Sequence, residues 1–502
     1  MTRNVSMTEK NKITTALSPD LNEILKKNKE QVKKSGQARL VLGKEQHNIA
    51  KSALSPHALK VIDGLTKAGF KAYLVGGCIR DLLTGKTPKD FDVSTNATPE
   101  QVRRVFSNSR IIGRRFKIVH VVYGKDIIEV TTFRSSKQIP AKRQSDGSGM
   151  LVRDNVYGRN IQEDAERRDF TINAIYYDVK KNELLDFHGG LYDLCHGTID
   201  IIGDPAVRYA EDPVRMIRAL RFSAKLGFKM SRRTASPIKE MGINLNQVSN
   251  ARLFEEVNKL FLTGHGLESF KILNRYGVFE ILFPGYRNFG NNPIVSEFIE
   301  YALASSDERF QQDKRNMPHF LYAVMLWSIF QERVFSLQQS NDSRITPISV
   351  RRIAERAFSE VIEEQNQVTA IPMSSYISMK NTWTLQLLLT DISEEDKCAA
   401  LASKSYFRGA FDFFKLRSRF EPYLTRFVEF WQPYYNESSR QAELSKAKNE
   451  EKEQSRFSKK DKAVKARTGR DSSSGFESED AAEKNDRLAR ARAWRISMNL
   501  EP

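Results

Sequence analysis

The sequence predicts an α+β chain, a mixed-sheet head followed by an all-helical remainder. Three observations carry this. Between about 57 and 200, strand and helix patterns alternate. After about 200 the strand signals fade, and apolar residues recur at helical spacing. From about 437 the chain turns charged and nearly free of large apolar residues, which predicts disorder.

Residues 1–55 are polar and lysine-rich (LKKNKEQVKKSGQ) and read as a mobile basic arm with a short helix near Leu21–Lys34. Order is expected to begin at Ser55-Pro56, where a helix leads into the strand KAYLV. Ala72–Val75, Phe91–Ser94, Phe116–Tyr123 and Ile127–Phe133 read as strands, because β-branched and aromatic residues dominate them. Cys78–Leu83 and Pro99–Phe106 read as helices, the second opened by Thr98-Pro99. The basic segment Ser135–Ser148 reads as a long mobile loop over a site. Pro213–Leu226, Ala251–Leu262 and Gly266–Tyr276 read as helices, and 285–435 as a packed helical region. The expected domains are the arm (1–55), a catalytic head (56–200), a helical neck (201–285), a helical RNA-binding body (286–436) and a charged tail (437–502).

A formal net charge of +18 over 502 residues favours a polyanionic partner. The three cysteines, Cys78, Cys195 and Cys398, form no CxxC pair, which argues against a zinc site or disulfide frame and fits a reducing, cytoplasmic setting. No apolar signal region opens the chain, and no run of about 18 apolar residues occurs that would span a membrane.

The stretch KAYLVGGCIRDLLTGKTPKDFDVST, from Lys71 to Thr95, carries the chemistry. Gly76 and Gly77 lack Cβ atoms, so a phosphate can approach the backbone, and Arg80 follows one turn into a helix. Taken alone, this is a tight strand-to-helix turn with an exposed arginine. Asp90 and Asp92 are two apart on a strand and share a face, while Phe91 and Val93 enter the core. Adjacent ionised aspartates repel, and a divalent cation relieves the conflict. A lone DxD is more often a solvated face. Glu129, in IIEVTTFR, is placed to complete a three-carboxylate site or to be an ordinary edge glutamate.

Downstream, Arg167 and Arg168 precede Asp169, Thr171 and Asn173 in a stretch that runs into apolar AIYY, which points to a semi-buried network. In EDPVR, Asp212 fits a helix N-cap with Pro213 at the first helical position, and Arg215 and Arg218 share a helix face suited to a base and a phosphate.

LVGGCIRDLLTG, KDFDVST, RRDFTINAIYYD and EDPVRMIRALRFSAKLGF, in this order, resemble the class II nucleotidyltransferases, a superfamily of tRNA CCA-adding enzymes and bacterial poly(A) polymerases. IIGRRFKIVHVVYG (Ile111–Gly124) and MLVRDNVYG (Met150–Gly158) resemble the poly(A) polymerase branch, and the likeness runs on to about residue 435. Cys78 departs from the small aliphatic residue commoner there.

The resemblance implies a polymerase-β-like nucleotidyltransferase head followed by helical neck, body and tail. It implies template-independent addition of AMP from ATP to RNA 3′ ends (mRNA and small RNAs), promoting polyadenylation and turnover. Asp90 and Asp92 would bind two Mg²⁺ ions, with Mn²⁺ able to substitute, and Glu129 or Asp169 would be the further catalytic carboxylate. Gly76, Gly77 and Arg80 would contact the triphosphate and Arg168 the ribose or phosphates. Asp212, Arg215 and Arg218 would line the nucleotide pocket. A monomer is expected, with the charged tail a docking point for RNA-degradation machinery. The competing readings are a CCA-adding enzyme using CTP and ATP, and a non-catalytic RNA-binding protein on a decayed scaffold.

Overall fold

The computed structural model describes residues 17, 19–113, 117–135, 157–158, 160–289, 292–339 and 347–445. They form two compact units that divide between Val248 and Ser249, inside the segment expected as neck.

The first unit runs α1 (Asn22–Ser35), β1 (Leu40–Leu42), α2 (Pro56–Lys67), β2 (Ala72–Val75), α3 (Gly77–Leu83), β3 (Asp92–Thr95), α4 (Pro99–Val105), β4 (Ser109–Ile112), β5 (Ile118–Tyr123) and β6 (Asp126–Thr132). It continues with α5 (Ile161–Arg167), β7 (Ile175–Asp178), β8 (Glu183–Asp186), α6 (Gly190–Cys195), β9 (Thr198–Ile199), α7 (Pro205–Glu211), α8 (Val214–Leu226) and β10 (Lys229–Met230). Eight strands form one sheet in the order β1-β8-β7-β2-β3-β6-β5-β4. Only β3 and β6 pair in parallel in it; the other neighbours are antiparallel. This is the mixed sheet that the alternating patterns predict.

Local signals explain the elements. Ser55 caps α2 by accepting the Ala58 N–H at 3.3 Å, with Pro56 at the helix start. Thr98 and Gln101 form a capping box at α4. On β2, Leu74 and Val75 are fully buried on opposite faces. Val75 joins Ala165 of α5 and Tyr176 of β7 in one cluster. Asp92 is the register partner of Val75, so it shares the α5 face.

The arm expected at 1–55 departs from expectation. Within its described part, Leu21 and Leu25 are buried at helical spacing on and before α1, and β1 pairs with β8 at the sheet edge. The short helix expected near Leu21–Lys34 is present as α1; what its lysine-rich composition concealed is that one face is buried.

The second unit is all-helical in its described residues, from Asn250–Phe261 to a helix over 425–445. Its core includes Leu385, Phe407, Phe411, Phe414 and Trp431. The helix over 425–445 carries order past the expected tail boundary at 437. The loop expected at Ser135–Ser148, the segment Met150–Gly158 and Arg114–Phe116 lie largely or wholly outside the described residues. No helix among the described residues is long and apolar enough to cross a membrane.

Candidate active site

The site is built on the turn from β2 to α3 and on the parallel pair β3–β6. Gly76 adopts φ 85° and ψ −139°, a conformation that favours glycine. A Cβ there would lie 3.4 Å from Asp92 Oδ2 and 3.7 Å from Arg168 Nη1, so the glycine leaves the space in front of both groups open. Asp92 and Glu129 are direct register partners across β3 and β6. His120 of β5 is the partner of Glu129 on its other side, with its Nε2 3.4 Å from Glu129 Oε1.

These neighbours set the charges. Burial pushes the Asp92 carboxyl up to about 6; the Glu129 and Asp90 charges add to the rise and Arg168 opposes it. The hydrogen bond to His120 holds Glu129 below the ordinary range against its own burial. Asp90 is exposed and precedes the strand, which begins at Asp92, two residues later than Asp90. Among the described residues no closed cluster of three or more His, Cys, Asp and Glu side chains exists. Two aspartates with open positions, one of them raised by burial and then by its anionic neighbours, fit a hard divalent cation that completes its shell from water and phosphate.

Arg168 faces Asp92 because Asp164 holds it there. Its Nε donates to the Tyr176 hydroxyl at 2.9 Å and its Nη2 to Asp164 Oδ2 at 3.3 Å. The same Asp164 accepts from Tyr176 Oη at 2.7 Å, Ser94 Oγ at 2.9 Å and the Arg134 N–H at 3.1 Å. Burial works against the Arg168 charge, but Tyr176, Asp164 and Asp92 keep it firmly protonated.

Arg80 and Asp169 are each held by neighbouring side chains. Arg80 is buried; its Nε and Nη2 donate to Asp81 Oδ1 and its Nη1 to Asn173 Oδ1 at 2.7 Å. It sits beside the glycine turn, with Nη2 3.5 Å from where a Gly77 Cβ would be. Asp169 Oδ2 accepts from Arg218 Nε at 2.8 Å and Nη2 at 2.5 Å, a two-pronged pair. Its Oδ1 accepts from the Phe170 N–H. Burial would raise Asp169, but Arg218 dominates and holds it down to about 2. Asp169 therefore anchors α8, whereas Glu129 is the carboxylate in register with Asp92.

At the α7–α8 junction Arg215 Nη1 donates to Glu211 Oε2 at 3.1 Å and to the Arg208 carbonyl at 2.8 Å. Arg208 also reaches Glu211, at 2.8 Å, and donates to the carbonyls of Arg167 and Arg168. Asp212 lies between the helices; its carboxylate accepts the Val214 N–H at 3.3 Å. The helix starts at Val214, one residue later than expected, so Pro213 rather than Asp212 stands at its N-cap.

Comparison with known proteins matches these elements to one family. Residues 72–200 match the "Poly A polymerase head domain", 227–289 the "Probable RNA and SrmB- binding site of polymerase A", and 350–470 the "Polymerase A arginine-rich C-terminus". Poly(A) polymerase I of Escherichia coli is 42% identical over 401 residues, covering 78% of this chain and 84% of that one. The chain belongs to the poly(A) polymerase family. Its activity is that of a polynucleotide adenylyltransferase. Poly(A) polymerase I of Haemophilus influenzae is 38% identical over 427 residues, covering 83% and 93% of the two chains. The CCA-adding enzyme of Lactobacillus helveticus is 37% identical over 215 residues, covering only 43% of this chain and 52% of that one. Among solved structures, the Bacillus stearothermophilus CCA-adding enzyme in complex with CTP aligns with a TM-score of 0.53 at 22% identity, over 76% of this chain and 83% of that one. That likeness shows the shared fold.

In this poly(A) polymerase family member, the structure brings Gly76, Asp92, Glu129 and Arg168 together. It ties Arg80 to Asp169 through Asn173, whose Nδ2 donates to Asp169 Oδ1 at 3.4 Å. Asp164, Arg208 and Glu211 were missed in the sequence. Glu211 stands in EDPVR and Asp164 four residues before Arg168, so helical spacing was the signal that could have found both. Cys78 packs as a small apolar residue: burial pushes its thiol up to about 12.

Proposed function

We propose that this chain adds AMP from ATP to RNA 3′ ends without a template, using Asp90 and Asp92 to hold Mg²⁺ and Glu129 as the third carboxylate. The observation that carries this is the Asp92–Glu129 register beside Gly76 and Arg168. Enzymes of this family use divalent metal ions; the choice of Mg²⁺ follows from the all-oxygen donor set. When bound, such ions make the 3′-hydroxyl a better nucleophile and stabilise charge on the leaving pyrophosphate.

The chain's own residues do the rest. The Gly76–Gly77 turn gives the triphosphate close access to the backbone, with Arg168 supplying positive charge beside it. The 3′-hydroxyl oxygen bonds to the α-phosphorus, the α–β bridging bond breaks, and pyrophosphate leaves. The hydroxyl proton passes to the carboxylate group. Asp212, Arg215 and Arg218 line the base pocket. The reading places the enzyme in the cytoplasm as a monomer acting on mRNA and small RNAs, with the tail as a link to RNA-degradation machinery.

The test is one unstructured RNA incubated with each NTP separately and Mg²⁺. Long products from ATP alone are expected. Addition that needs CTP and stops after CCA on tRNA would move the chain to the CCA-adding reading.

A further inference from the structure

The N-terminal helix reaches the back of the active site. Lys29, on α1, is buried, and its Nζ lies 2.5 Å from Asp193 Oδ2 and 3.2 Å from Asp200 Oδ2. Asp193 Oδ2 also accepts the Thr171 hydroxyl at 2.7 Å, and the Asp200 carbonyl accepts the Thr171 N–H at 3.0 Å. Thr171 opens the 3-10 turn Thr171–Asn173, which Phe170 joins to Asp169. The turn thus hangs on two aspartates, and Lys29 bridges their carboxylates; Arg233 Nε adds a second cation to Asp200 at 2.8 Å.

The packing leaves no slack. A Cβ on Gly190 would clash with the Thr171 carbonyl oxygen, so the start of α6 lies hard against the turn. A Cβ on Gly189 would meet Lys29 Cδ at 2.5 Å. Helix α1 is itself pinned to the sheet edge, since Asn28 donates to the Ala38 carbonyl at 3.1 Å and the Ala38 N–H donates to Phe187. From the front of the turn, Asn173 holds Arg80, and Asp169 holds Arg218.

We propose that Lys29 is a positioning residue for nucleotidyl transfer, fixing Asp193 and Asp200 behind the Thr171–Asn173 turn and thereby setting Asp169 and Asn173 on the arginines in front. The inference rests on the adenylyl-transfer reading above. It turns the N-terminal segment from a mobile basic arm into part of the catalytic head. Without Lys29, Asp193 would have no cation beside it and would face Asp200, which keeps only Arg233, and the turn held by both would lose its fixed position.

The test is a double-mutant cycle on kcat with Lys29→Met and Thr171→Val in the full chain. Lys29→Met is expected to lower kcat for AMP incorporation about tenfold or more, with KM for RNA within about twofold of wild type. Thr171→Val in that background is expected to cost little more. Amide exchange across residues 169–176 is expected to quicken in Lys29→Met without substrate, a readout independent of activity. If Lys29→Met does not fold, Asp193→Asn takes its place in the cycle. Additive kcat effects with unchanged amide exchange would overturn the proposal, as would a rise in KM for RNA with kcat intact. Failure of the wild-type chain to incorporate AMP would instead overturn the activity reading, and amide exchange would still judge the role of Lys29.

Discussion

Asp92 and Glu129 stand directly opposite each other on the one parallel strand pair of the eight-stranded sheet. Parallel pairing in register puts both carboxylates on one face, where the Glu129 charge raises the cost of ionising Asp92. Asp92 carries the cost, with its carboxyl pushed up to about 6 by burial and then by Glu129. A carboxyl raised on folding is protonated more readily in the folded chain than in the unfolded one. Its penalty is absent below the unfolded value of 3.8 and fully developed above about 6. Asp92→Asn should therefore stabilise the protein by ~1–3 kcal/mol at pH 7 and by nothing near pH 3.5. The same variant should lower AMP incorporation by roughly a thousandfold, the loss of about 4 kcal/mol of metal-assisted stabilisation. Chemical denaturation at the two pH values, with an incorporation assay, checks both. Residual activity within about tenfold of wild type would remove Asp92 from the metal site.

Glu129 and Asp169 should separate cleanly. Glu129→Gln is expected to lower kcat roughly a hundredfold or more with little change in melting temperature. Asp169 sits at about 2 because Arg218 outweighs its burial. Its contribution is present above 3.8 and lost as pH falls through about 2. Asp169→Asn should then cost ~1–3 kcal/mol of stability at pH 7, shrinking to nothing in strong acid. Full stability in Asp169→Asn with unfolding in Glu129→Gln would reverse the two assignments.

Much of this site was legible because its residues act through local pattern. Gly76, Asp92 and the strand alternation around them need only neighbours a few positions away. What the sequence hid lies in long-range pairing. Lys29 meets Asp193 from 164 positions away, and a lysine in a lysine-rich stretch gives no sign of burial. Asp169 and Glu129 could not be ranked, because the choice depends on which one faces Arg218 in space. Arg80 shows the same limit: one turn into a helix it looks aimed at an anion, and its bonds to Asp81 and Asn173 are not visible in local pattern.

Asp164 supports Arg168 rather than the reacting atoms. It accepts from Ser94, Tyr176 and Arg168 on one oxygen and from the Arg134 backbone on the other. Asp164→Asn keeps the shape but loses the charge that holds the guanidinium beside Asp92. The Kd for ATP should rise about tenfold, near 1.4 kcal/mol. Tyr176→Phe, which removes one link of the same chain, should give a smaller rise in the same direction. Calorimetric titration with ATP measures both, and unchanged affinity in Asp164→Asn would detach Arg168 from nucleotide binding.

Glu211 should govern choice of base. It binds Arg208 and Arg215, and Arg167 lies 4.0 Å away, so three guanidinium groups depend on one carboxylate. Burial, reinforced by the Arg215 charge, already pushes Arg208 down to about 10. Without Glu211 the arginines repel, and Arg215 keeps its bond to the Arg208 carbonyl but loses its carboxylate partner. A pocket that selects a base by fixed hydrogen-bond geometry loses discrimination when its donors move. Glu211→Gln should lower the ratio of kcat/KM for ATP over CTP by about tenfold or more, ~1.4 kcal/mol of selectivity. Arg215→Lys should do the same, since an ammonium cannot reproduce the planar fork. Separate incorporation rates with ATP and CTP on one RNA decide it. Equal selectivity in wild type and Glu211→Gln would place discrimination elsewhere, leaving Glu211 as an ion-pair anchor between α7 and α8.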